Sequence, residues 1–95
     1  MLLKGKTAVI SGGAGERGIG YCTAKTFAAH GARVAILDLD EAASKKAAAS
    51  LGPDHIGLAC NVAKRADCER AVGEAIKAFG QLDIVIANAG ITQGV

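Results

Sequence analysis

The run Gly12-Gly13-Ala14-Gly15-Glu16-Arg17-Gly18-Ile19-Gly20 constrains this chain more than any other stretch. Five of its nine residues are glycine, so it is neither strand nor stable helix and must be a sharp turn. It follows the apolar run Thr7-Ala8-Val9-Ile10, within a first strand predicted over Lys6 to Ile10. It leads into a helix predicted from Gly18 to His30. A strand, a glycine turn and a helix together form an anion cradle. The glycines let the backbone approach a ligand, and the helix N-terminus presents unpaired N–H groups and a partial positive charge.

The rest of the chain repeats the alternation. Gly31 stands where a helix-ending glycine belongs, with His30 before it as a capping or surface residue. Ile19, Cys22, Phe27, Ala24 and Ala28 are the expected buried side of that helix. Ala32 to Asp38 reads as a second strand around Val34-Ala35-Ile36-Leu37. Asp40 caps a helix over Glu41 to Leu51, and Gly52-Pro53 stops it. A short third strand runs from His55, expected to be exposed, to Cys60. Lys64 to Phe79 is the third helix, with Ala66, Val72, Ala75, Ile76 and Phe79 as its apolar stripe and Gly80 at its end. Ala63 is a poor cap for it, so a later start with Asp67 as the capping residue is the alternative. Leu82 to Ala87 is a fourth strand, ended by Asn88-Ala89-Gly90.

This β-α-β-α-β-α-β order with short connections implies an α/β fold: a doubly wound parallel sheet with expected strand order 3-2-1-4. Composition agrees. The hydrophobic fraction is 51% with only 3% aromatic, so the core must be built from Ala, Val, Ile and Leu. Net charge is +2 and the basic residues are scattered, which argues against nucleic acid. Lys4 and Lys6 interrupt the N-terminal apolar residues, so no signal peptide is read, and no apolar run approaches the roughly 20 residues of a membrane span. Cys22, Cys60 and Cys68 are odd in number and without a C-x-x-C pair; they read as reduced thiols in the cytoplasm, with no metal site.

Context identifies the anion. Gly13-x-Gly15-x-x-Gly18 fits the dinucleotide fingerprint, and Asp38 ends the next strand about 20 residues on. A carboxylate there accepts hydrogen bonds from an adenosine ribose and repels a 2′-phosphate. No Gly-Lys-Ser/Thr follows the loop, which excludes a nucleoside-triphosphate P-loop.

With these residues in view, the whole chain resembles the N-terminal part of a short-chain dehydrogenase/reductase. Four features carry the resemblance: Ser11-Gly12 with Gly18-Ile19-Gly20, then Asp38, then Asn61-Val62, then Asn88-Ala89-Gly90. The resemblance implies the first half of a Rossmann domain, residues 1–95, with the remainder of the domain absent. It implies a nicotinamide cofactor held by Gly12, Arg17, Gly18, Ile19, Gly20, Asp38, Asn61, Val62, Asn88, Ala89 and Gly90. It also implies an enzyme that moves hydride between that cofactor and a small alcohol or ketone, and that assembles as a homo-oligomer, often a tetramer. Members run to about 250 residues. Their catalytic Ser, Tyr and Lys would lie after Val95, so this chain holds no catalytic residue and is expected to be inactive alone.

The chain departs from the family pattern in several places. Five residues separate Gly12 from Gly18 where three are usual, so either Gly12 or Gly13 ends the strand. Asn61 replaces the common Asp that accepts from the adenine amino group, and Asn still accepts through its side-chain oxygen. Ala87 replaces one of a pair of Asn residues, and the segment from Asn88 to Gly90 braces the sheet, faces the ligand or does both. Tyr21 and Lys25 match the spacing of the family's catalytic Tyr and Lys, but in the wrong place. Arg17, just before Gly18, resembles members that prefer NADP, which suits a 3-oxoacyl reductase; a solvated Arg17 or one lying over the adenine fits the sequence as well. Asp38 points to NAD, and like charge at hydrogen-bond range outweighs a basic residue on a longer loop. The expected cofactor is therefore NAD, with NADP the alternative. A non-catalytic nucleotide-binding fragment is the remaining reading if 95 residues are the complete chain.

Overall fold

A computed structural model of the chain describes residues 3–12, 19–61 and 64–87. Within them lie β1 (Thr7–Ser11), α1 (Ile19–Ala29), β2 (Arg33–Asp38), α2 (Glu41–Leu51), β3 (Ile56–Ala59), α3 (Arg65–Phe79) and β4 (Ile84–Ala87). The strands form a parallel sheet in the order β3-β2-β1-β4, as expected. Ser11 of β1 is level with Leu37 of β2 and Ala87 of β4, and Asp38 of β2 is level with Ala59 of β3.

Strand alternation divides the core. Ile10, Val34 and Ile36 point to one face, where Ala24 of α1 and Ala47 and Ala48 of α2 cover them. Val9, Ala35 and Leu37 point to the other, against Cys60 and against Ala71 and Ala75 of α3. The chain steps outward through α1 and α2 and returns across the sheet through α3. Crossovers of one hand that run in opposite directions must lie on opposite faces. Aliphatic burial on both faces is what a covered parallel strand requires, at about 1.5–3 kcal/mol per large side chain.

The helix ends follow local chemistry. Asp40 Oδ1 accepts from the Ala43 N–H at 3.1 Å, the expected cap of α2. At the end of α1, Ala32 N–H donates to the Phe27 carbonyl and Gly31 N–H to that of Ala28, with Gly31 at φ 95°. This paired closure needs the left-handed conformation that glycine adopts freely. The His30 carbonyl, one residue past α1, accepts from the Leu3 N–H at 2.8 Å.

Three expectations need correction. Cys22 is exposed, because it lies two residues, or about 200°, around the helix from the fully buried Ala24. On α3 the buried line is Ala71 and Ala75 with Cys68 and Phe79 beside it, while Ala66 and Ile76 are exposed. His55 is half-buried rather than exposed, and its Nδ1 accepts from the Val34 N–H at 3.0 Å. That nitrogen serves a β2 donor lying just before the register with β3 begins at Ala35.

Gly57 marks the tightest packing. A Cβ there would fall onto the backbone of Ser44 and Lys45, well inside contact, so α2 lies on β3 only because residue 57 has no side chain. Ser44 Oγ, buried at the same crossing, has no hydrogen-bond partner among the described residues. Gly57→Ala should therefore destabilise by about 3 kcal/mol or more, and Ser44→Ala should stabilise by about 1 kcal/mol, both read by denaturant unfolding.

Burial lowers the pKa of His55 below its ordinary 6.5, against a smaller opposing effect of Asp54. A depressed folded pKa means that the contribution is present above 6.5 and is lost as pH falls through the folded value. Between pH 7.5 and 5.5 the native chain should lose more stability than His55→Gln, which still accepts a hydrogen bond but does not titrate, as read by denaturant unfolding at the two pH values.

Candidate functional site

The carboxyl ends of β1, β2 and β3 bring three of the expected site residues into one row. Gly12 follows β1 at φ 73°, and its N–H donates to the Leu37 carbonyl at 2.7 Å. Gly12 is thus the first residue past β1, and Gly13 lies outside the described residues. Ser11 before it is buried and donates through Oγ to the Ile86 carbonyl at 3.3 Å, which ties β1 to β4. Ile19 is the first residue of α1 and Gly20 is buried in its first turn. Arg17, Gly18, Val62, Asn88, Ala89 and Gly90 lie outside the described residues.

Asp38 closes β2 and is half-buried. Strand alternation places it on the face of Val34 and Ile36, the face that α1 covers. The carboxylate and the N-terminus of α1 therefore belong to the same side of the sheet. Asp38 Oδ1 lies 3.5 Å from the Asp40 nitrogen at the limit of a hydrogen bond, and the Asp38 carbonyl accepts from the Cys60 N–H at 2.8 Å.

Asn61 follows β3 by way of Cys60 and is held through its backbone. Its N–H donates to Asp67 Oδ2 at 2.6 Å, and its carbonyl accepts from the Lys64 N–H at 2.9 Å. Asp67 does not cap α3 from the N-cap position, which is Lys64 and has no side-chain cap. It sits in the first turn and reaches back past the helix start. Its hydrogen bond from Asn61, and then that from Arg70, hold the carboxyl below the usual carboxylate range. Asp67 was expected to cap, so the helix start is corrected while the role of satisfying a nearby N–H survives.

Two residues at this end were not expected. Leu39, next to Asp38, is 72% exposed, an apolar side chain where a turn would ordinarily be polar. Arg70 donates to Asp67 Oδ1 and, at 2.6 Å, to the Ala59 carbonyl at the end of β3. An Asp followed three residues later by Arg was the available signal, since such pairs share a helix face.

Tyr21 has a structural place: its hydroxyl is 2.7 Å from Ser50 Oγ, between α1 and α2. A cavity of about 400 Å³ lined by Lys4, Thr7, Arg33 and Gln81 lies at the amino ends of the strands. Ligands of open parallel sheets bind at the carboxyl ends, so the row of Gly12, Asp38 and Asn61 is the candidate site. Among the described residues, no group of three His, Cys, Asp or Glu could hold a metal, and no helix is long and apolar enough to cross a membrane. The row offers the Asp38 carboxylate and the Asn61 side-chain amide beside the N-terminus of α1, which suits a polar ligand.

Comparison with known proteins agrees in kind. The family model described as enoyl-(acyl carrier protein) reductase matches residues 12–94. The short-chain type dehydrogenase/reductase y4mP of Sinorhizobium fredii is 60% identical over 99 aligned positions, covering 100% of this chain and 39% of that protein. Sorbitol dehydrogenase of Cereibacter sphaeroides is 41% identical over 91 positions, with 96% and 35% covered. A crystal structure of 3-ketoacyl-(acyl-carrier-protein) reductase from Brucella melitensis complexed with NADH superposes with a TM-score of 0.82 at 38% identity, over 87% of this chain and 33% of that one. The chain thus spans about two fifths or less of the relatives it matches.

Cys60 sits beside this row, and burial, followed by its contact with Cys68, pushes its thiol up to about 11. At pH 8 iodoacetamide should label the exposed Cys22 readily and Cys60 hardly at all, as read by peptide mass spectrometry.

Proposed function

Because the chain belongs to the short-chain dehydrogenase/reductase family, we propose that residues 1–95 are the N-terminal, cofactor-holding part of an NAD-dependent oxidoreductase. The carrying observation is Asp38, fixed at the end of β2 one strand from Gly12 and on the α1 face. The donors present fit a dinucleotide. Gly12, Gly18, Ile19 and Gly20 at the turn and helix start would hold the pyrophosphate, with Arg17 beside them. Asp38 would accept from the adenosine ribose hydroxyls. Asn61 and Val62 would meet the adenine, with Leu39 against its face. Asn88, Ala89 and Gly90 would lie along the second ribose. When bound, the nicotinamide accepts or donates the hydride exchanged with a small alcohol or ketone. The chain's own residues bind and orient that cofactor. The cytoplasm and a homo-oligomer are the expected setting.

Charge decides between cofactors. A single unit of like charge at about 4 Å costs about 1 kcal/mol in water and about 4 at the effective dielectric of a protein surface. A 2′-phosphate beside Asp38 would meet at least that. The NADH bound to the structural neighbour supports the same preference. Arg17 supports a second reading, an NADP-dependent 3-oxoacyl reductase, since a guanidinium just before Gly18 could meet a phosphate.

Titration of the protein with NADH and with NADPH, followed by cofactor fluorescence, separates the readings. NADH should bind at least about tenfold more tightly, and Asp38→Ala should remove most of that preference. Tighter NADPH binding by the unaltered protein would establish the second reading instead.

A further inference from the structure

The third helix does more than cover the sheet. Its first two turns grip the segment that leaves β3. Asp67 Oδ2 takes the Asn61 N–H at 2.6 Å, and the Lys64 N–H takes the Asn61 carbonyl at 2.9 Å. Arg70 donates through Nη2 to the Ala59 carbonyl at 2.6 Å and to Asp67 Oδ1 at 3.0 Å, while its Nη1 meets Glu74 Oε2 at 2.6 Å. Between these grips, the Cys60 N–H donates to the Asp38 carbonyl at 2.8 Å. Both polar groups of the Asn61 backbone are therefore fixed, and so is its spacing from Asp38.

An amide at a strand exit has no such need for its own sake. Asn61 is only half-buried, so water could satisfy its backbone. Three charged side chains are instead arranged in a chain, Glu74 to Arg70 to Asp67, ending on one N–H. Charge-assisted bonds of this length are shorter and stronger than neutral ones. Arg70 also spans two attachment points, Ala59 and Asp67, on either side of Cys60.

We infer that Asp67, braced by Arg70, is a positioning residue that sets Asn61 for recognition of the adenine base. This rests on the reading of the site as a dinucleotide site. Asp67 touches the Asn61 backbone and not the ligand in this arrangement. Its effect is preorganisation: the Asn61 side chain starts from a fixed backbone at a fixed distance from the ribose-reading carboxylate. Without the clamp, Asn61 must be ordered when the cofactor binds, and the cost appears in the affinity for the base.

The test compares NADH with reduced nicotinamide hypoxanthine dinucleotide, which replaces the adenine 6-amino group by an oxo group and turns ring N1 from an acceptor into an N–H donor. The unaltered full chain should prefer NADH, because hypoxanthine presents an oxygen at position 6 and an N–H at position 1 where adenine presents a donor and an acceptor. Asp67→Ala should weaken NADH by about fivefold to tenfold and bring the ratio of the two affinities close to one. Asp67→Asn, which can still accept from the Asn61 N–H, should retain part of the preference, and Arg70→Ala should fall between the two. The ratio, unlike a melting temperature, does not move when a substitution merely loosens the fold. Should Asp67→Ala fail to fold, Asp67→Asn and Arg70→Ala read the same ratio. An unaltered protein that binds neither dinucleotide would overturn the dinucleotide reading itself. Binding of NADH with an adenine preference that survives in these variants, or with no adenine preference at all, would overturn the clamp alone.

Discussion

Everything in this chain is placed relative to β1, a strand paired on both sides and buried along its whole length. A parallel strand in that position satisfies its backbone donors and acceptors only through its two neighbours. Its side chains therefore serve two separate cores. Ile10 enters the α1–α2 face and Val9 the α3 face. Truncating either would cost a few kcal/mol. Its amino end is pinned as firmly. Thr7 N–H donates to Asp83 Oδ2 at 2.9 Å and Thr7 Oγ1 to the Gln81 carbonyl at 2.7 Å, so the loop before β4 is registered on the start of β1. The carboxyl ends of the sheet inherit this order, and the candidate site is built on them.

Close packing then sets how the outer strands sit. β3 has two helices to satisfy. α2 lies against its Gly57 so closely that no side chain fits, and α3 grips its exit through Asp67 and Arg70. The two contacts differ in physics. One is steric and works by the absence of a Cβ. The other is ionic, exposed and directional. Steric contact fixes the height of β3 in the sheet, and the ionic clamp fixes the direction in which the chain leaves it. Exposed ion pairs contribute little to stability, about 0–1 kcal/mol each, so the clamp's value lies in geometry rather than in holding the fold together.

Much of this was legible in the sequence. The bounds of α2 follow from Asp40 and Gly52, because a cap and a stop are local chemistry that tertiary contacts did not override. Gly31 ended α1 for the same reason. Strand order followed from the alternation of apolar runs and helical segments, together with the handedness of crossovers. The failures share a cause as well. Cys22, Ala66 and Ile76 are apolar residues on short helices rich in alanine, where nearly every position could pass as buried and only the angle from Ala24 or Ala75 separates them. His55 and Asp67 each serve a backbone N–H distant in sequence, at Val34 and Asn61, and periodicity carries no information on such pairs. Leu39 could have been read: a bare leucine beside the carboxylate of a strand end is unusual for a turn.

The candidate site depends on the core in a way its own residues do not reveal. Asp38 faces α1 because Val34 and Ile36 do, four and two residues before it on the same side of β2. Ala35 and Leu37 face α3. A slip of one residue in the pairing of β2 with β1 would exchange these sets, bury the small alanine against the paired helices and turn Asp38 to the other face. Such a slip is opposed by the whole apolar pattern of the strand rather than by anything at the site. The side of the sheet to which the Asp38 carboxylate turns is thus decided by aliphatic side chains outside the candidate site. Asn61 stands beyond the last paired residue of β3, Ala59, where the ladder no longer dictates direction. Register alone suffices for Asp38, whereas a residue two positions past the ladder needs its own anchor, and the Asp67–Arg70 clamp supplies one.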